Sequence, residues 1–153
     1  MARKLCLVLL LLNLAFIWGN SMLDGEQSRA ISDRVIAVLV EVFHIDYTGS
    51  GGDEPNMNFL VRKAAHATEF AALGVLGMAV LSAGKKRLEE WVHRAILFGV
   101  LVALTDETIQ LFHARTSSVK DVWLDSAGLL AGILLAALVR QRQTDRRNRK
   151  HQP

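Results

Sequence analysis

The charged residues of this 153-residue chain fall in clusters, and the stretches between them are almost entirely apolar. Four such stretches stand out: Leu5 to Trp18, Ala64 to Ala83, Ala95 to Phe112, and Val122 to Val139. A helix needs about 17–25 residues to cross the hydrocarbon core of a bilayer. The last three runs have that length, and the first reaches it if Gly19 to Leu23 are included. Backbone left unpaired in lipid is too costly for loops or open strands, so each run is expected to be a helix. The expected fold is therefore an all-α membrane protein with four transmembrane helices, over about 5–23, 64–83, 95–112 and 121–139. These spans make one membrane domain, 1–139, followed by a basic tail, 140–153.

The first run begins after Arg3 and Lys4, as a secretory signal would. Its exit, Ile17-Trp18-Gly19-Asn20-Ser21, offers no small-x-small cleavage site, so it is expected to remain as a span. A single cysteine, Cys6, rules out a disulfide scaffold. Cys6 and Trp18 are expected to face lipid or its interface.

Charge placement gives an orientation. The N-terminus, the 84–94 segment and the tail together carry +9, and everything else carries −6. Basic flanks stay cytoplasmic, so both termini are expected inside and the 20–63 and 113–120 loops outside. The tail, with Arg140, Arg142, Arg146, Arg147, Arg149 and Lys150, reads as a juxtamembrane segment contacting anionic lipid. Nucleic-acid binding is not expected, since no folded reader accompanies it.

In the first outer loop, Ile31, Val35, Val38, Leu39 and Val42 recur at helical spacing. They predict an amphipathic helix over 28–44, capped by Ser28 or Ser32, lying on the membrane surface or over the helix ends. Residues 46–58 carry turn chemistry.

Ionisable groups inside spans are costly and are functional candidates by default. Here they share one depth. Arg62, His66 and Glu69 follow i, i+4, i+7 on one face of the second span. Asp106, Glu107 and Gln110 end the third, Asp121 and Asp125 begin the fourth, and Arg115 and Lys120 lie in or beside the connection between them. The topology brings all of them to the outer ends of the helices. His66, Glu69, Asp106, Glu107 and Asp125 are the candidates for acid–base or metal chemistry, a divalent metal being compatible with such donors. Arg62, Gln110, Arg115, Lys120 and Asp121 are the candidates for binding, with Arg62, Arg115 and Lys120 the expected partners of the acids. Ser118-x-x-Asp121 also fits a capping box, in which Asp121 only starts a helix. Gly128-x-x-x-Gly132 and Ala67-x-x-x-Ala71 are packing signals. No phosphate loop, His-Glu-x-x-His or nucleophile elbow is present.

These residues resemble a known family. Arg62-Lys63-Ala64-Ala65-His66, Glu69-Phe70 and Leu73-Gly74 are similar to the second span of VanZ-like proteins. Asp106-Glu107-x-x-Gln110, Arg115, Asp121-Val122, Gly128 and Gly132 are similar to the third and fourth, and Gly25-Glu26-Gln27-Ser28-x-x-Ile31-Ser32 to the first outer loop. The likeness covers roughly residues 5–139. It departs at Glu69 and Asp125, where many members carry an aromatic and an asparagine. The family is named for a protein that lowers susceptibility to the glycopeptide teicoplanin. The resemblance implies a bacterial multi-pass cell-envelope protein but no settled reaction.

The leading expectation is an outward polar site that recognises or modifies a lipid-linked or cell-wall component, with glycopeptide tolerance as a consequence. Its partners are the bilayer and a lipid-linked cell-wall precursor or anionic lipid. Three alternatives stand beside it: a metal-assisted hydrolase or transferase on an envelope lipid, a small transporter, and a structural ion-pair network. A transporter calls for polar groups at mid-bilayer, where spans two to four are almost purely apolar.

Overall fold

The computed structural model describes residues 2–44, 57–81, 88–113 and 118–150. They form five helices: α1 (Ala2–Ser21), α2 (Gly25–Phe43), α3 (Met57–Leu81), α4 (Leu88–Phe112) and α5 (Val119–Lys150). All but α2 are long and apolar enough to cross a membrane, which makes this an all-α membrane protein. The helices run longer than the apolar runs alone. α5 continues without a break from its apolar part into the basic residues after Val139.

Burial follows helical periodicity. Leu10, Leu14, Ile17 and Ser21 form the buried stripe of α1, at i, i+4, i+7 and i+11. They meet Phe70 and Leu73 of α3, Val102 and Ala103 of α4, and Leu129 and Ile133 of α5 in one core. Leucines on the opposite faces, such as Leu12, Leu101 and Leu134, are exposed, as a lipid solvent permits. Trp18 departs from the lipid-facing expectation, because its ring packs against this core.

α3 is the hub. It touches every other helix and meets α5 along the longest seam. Lipid gives helices no hydrophobic reason to associate, so close packing must do it, and small residues permit the approach. Gly128 and Gly132 lie directly on the backbone of Ala67 and Ala71, where a Cβ on either glycine would overlap a carbonyl oxygen. Gly74 meets the Leu129 carbonyl from the other side in the same way. The two small-residue motifs are thus the two faces of one contact.

α2 differs from expectation in its start and its cap. It begins earlier, capped by Asp24, whose carboxylate accepts from Glu26 N and Gln27 N while its own N–H donates to Gln27 Oε1. An acid followed by glutamine at N3 completes the capping box and displaces the serines. Ser32 instead donates to the Ser28 carbonyl at 3.0 Å. The buried side chains are Ser32 and Ile36, and Ile31, Val35, Val38 and Val42 are exposed. Ile31 and Val35 nevertheless border a small space against Val61 and Ala65 of α3, so the apolar stripe runs along the edge of the α2–α3 contact. His44, in left-handed conformation (φ 50°), ends the helix.

Candidate functional site

One end of the bundle is polar. It is built from the C-terminal turns of α1 and α4 and the N-terminal turns of α3 and α5. At the other end, Arg140 of α5 lies over the Trp91 ring of α4, 4.0 Å from its centroid.

At the polar end, the i, i+4 step of α3 carries Arg62 and His66 toward the start of α5, while Glu69 meets α1; His66 and Glu69 are buried. Asp106, Glu107 and Gln110 of α4 and Asp125 of α5 are buried as well. One ligand atom each of His66, Asp106 and Asp125 lies within 4.8 Å of the others. Asp106 is held at both oxygens, Oδ1 accepting from Ser21 Oγ and Oδ2 from Gln110 Nε2 at 2.8 Å. Glu107 Oε2 accepts from the Ser118 backbone N–H at 3.2 Å, which ties the end of α4 to the start of α5.

Above this layer is a cavity of about 600 Å³. His66, Glu107, Gln110, Asp121 and Asp125 line it, together with Arg62, Lys63 and Lys120 and, from the start of α2, Arg29. Arg29 and Lys120 are exposed and Arg62 and Lys63 half-buried, whereas His66, Glu107 and Asp125 are buried. Glu107 and Asp125 thus lie deeper than the cations, while Asp121 stands at the level of Lys63, with which it pairs.

The expected constellation comes together only in part. Asp106 lies beneath the cavity rather than in its wall. Glu69 turns toward a smaller space of about 80 Å³ beside α2, where Asn20 Nδ2 donates to its Oε1 at 2.8 Å. Arg115 lies outside the described residues. The ion pair of Asp121 is with Lys63, not with the expected Arg62 or Lys120. The Ser118–Asp121 capping box does not close. Ser118 Oγ does accept from Lys120 N at 3.2 Å, but the Ser118 N–H goes to Glu107 and the Asp121 carboxylate goes to Lys63.

α1 supplies polar groups not named from the sequence. Asn13 Nδ2 donates to the Glu69 carbonyl at 3.5 Å, and Asn20 and Ser21 meet Glu69 and Asp106. The signal was present: Asn13 interrupts an apolar run and stands i, i+7, i+8 from Asn20 and Ser21, on the same face.

A family model described as VanZ/LLP1 matches residues 6–140, through all four candidate spans and the cavity between them. The chain belongs to the VanZ/LLP1 family. No curated protein and no solved structure matches it. The matched range contains every polar residue of the site and the α3–α5 seam.

Proposed function

We propose that this VanZ-family protein works in the bacterial cell envelope, with both termini in the cytosol and the polar end facing outward. There the cavity recognises the phosphate-bearing head group of a lipid-linked cell-wall component, and tolerance to glycopeptides such as teicoplanin follows from that recognition. The observation that carries the proposal is the vertical order of charge in the 600 Å³ cavity, with Arg62, Lys63 and Lys120 toward the entrance and buried acids below. A phosphate at the bilayer surface pairs with cations at that height. The acids and Gln110 beneath are placed to accept and donate hydrogen bonds to sugar hydroxyls or amines. The exposed apolar stripe of α2 suits a helix lying in the lipid interface beside the entrance.

Two measurements test this. Intact cells carrying Ser118→Cys, with Cys6→Ser, should react with a membrane-impermeant maleimide, and Thr144→Cys should react only after lysis; the reverse pattern sinks the orientation. Teicoplanin susceptibility and envelope lipid composition should change in Glu107→Gln and Arg115→Ala strains at wild-type protein levels. Unchanged phenotypes in both would remove the cavity from the account.

A further inference from the structure

The floor of the cavity holds a second arrangement, distinct from its cationic entrance. His66 of α3, Asp106 of α4 and Asp125 of α5 present one nitrogen and two oxygen donors from separate helices, all within 4.8 Å. All three side chains are buried, Asp125 with 1% of its surface exposed. Asp125 Oδ2 is buried and has no hydrogen-bond partner among the described residues. A buried carboxylate oxygen in that condition is expensive unless something compensates it.

We propose that His66, Asp106 and Asp125 form a binding site for a divalent transition-metal ion of the zinc or manganese type. Three features support a metal over a proton or an ion pair. First, the donor set mixes imidazole with carboxylate, which suits zinc and manganese better than the all-oxygen shells of magnesium or calcium. Second, Asp106 has the outer partners expected of a metal ligand, since Ser21 and Gln110 fix its orientation and leave lone pairs free for an ion. Third, the geometry leaves one side open. His66 and Asp125 line the cavity and Asp106 lies below it, so an ion among them keeps a coordination position toward the cavity. Three protein ligands and one open position is the pattern of zinc sites that act on a ligand rather than only hold a fold. A dication would also neutralise the two carboxylates, Asp106 and Asp125. Building on the head-group proposal, the open position receives a phosphate oxygen whose remaining charge meets Arg62 and Lys120.

The test uses the full-length protein in detergent, without a histidine tag, stripped with chelator and dialysed separately against Zn2+, Mn2+, Mg2+ and Ca2+. Elemental mass spectrometry should find one equivalent of Zn2+ or Mn2+ per chain. Asp125→Asn and His66→Gln should lose saturable binding, and Gln110→Ala should weaken it by about 10–100-fold, the usual effect of removing an outer partner. Added Zn2+ should raise the melting temperature of the wild type and leave that of Asp125→Asn unmoved. Wild-type protein that retains no more ion than Asp125→Asn overturns the site, as does a preference for Mg2+ or Ca2+. Retention of phosphatidylglycerol over phosphatidylcholine from mixed micelles separates this proposal from the one beneath it. Selective retention by a protein that takes up no metal overturns the metal site and leaves recognition standing. Metal uptake without selective retention upholds the site and overturns head-group recognition.

Discussion

The α3–α5 seam and the polar end of the bundle lie on the same two helices and are built on opposite logic. In the seam, Gly128 and Gly132 bring two backbones together over Ala67 and Ala71, with no side chain or charge between them. A turn away, ligand atoms of His66 and Asp125 lie within 4.8 Å of each other and border open space. The seam can hold the helices together without the polar groups. That leaves the polar end able to keep a buried, incompletely partnered carboxylate, which a bundle relying on its polar contacts for stability could not tolerate. Substitutions in the two regions should therefore fail in different ways.

The largest effect is expected in the seam. Gly132→Leu drives a side chain into the Ala71 carbonyl, and overpacking of this kind costs about 3 kcal/mol. Thermal unfolding in detergent should show a large drop in melting temperature or loss of the monodisperse protein. A seam that accepts leucine without loss would mean the two helices are not in backbone contact. Next comes Ser21→Ala, which removes the donor to Asp106 Oδ1 and loosens α1 from α4. Interhelical hydrogen bonds in membranes are worth about 1 kcal/mol, so the shift should be modest, and absent when Asp106→Ala, which has no acceptor, is already in place.

Asp125→Asn sharpens the contrast, because it should leave the melting temperature unchanged or higher while abolishing metal-dependent stabilisation. A destabilised, unbound Asp125→Asn protein would instead assign the carboxylate to the structural network. The smallest effect is expected at the entrance. Lys120→Ala should keep full stability and weaken the selective retention of phosphatidylglycerol from mixed micelles about fivefold, a difference that fades as salt is raised. Salt-independent binding would argue against a phosphate contact there.

The spans were readable in the sequence because lipid imposes length and apolarity on a helix regardless of its neighbours. The seam was readable too, since Gly128-x-x-x-Gly132 has no other use at that spacing. Site composition was visible for a related reason, as His66, Asp106 and Asp125 stand out in apolar surroundings. Pairing was not visible. Lys63 and Arg62 are adjacent in sequence but point in different directions, and only the rotation of α3 against α5 decides which one meets Asp121. Asn20 and Ser21 were hidden because they end an apolar run, where uncharged polar residues are ordinary. The direction of the α2 stripe depended on where Ser32 and Ile36 met α3, which no periodicity contains.

The expectations for the polar site depend on His66 and Asp125 meeting at one accessible space. In a Cys6→Ser background, cysteines placed as His66→Cys and Asp125→Cys can be treated with a short bifunctional thiol reagent and weighed intact. A single bridged adduct on the folded protein is the predicted result. Two independent adducts at saturating reagent, with no bridged species, would contradict the convergence of α3 and α5 at the polar end.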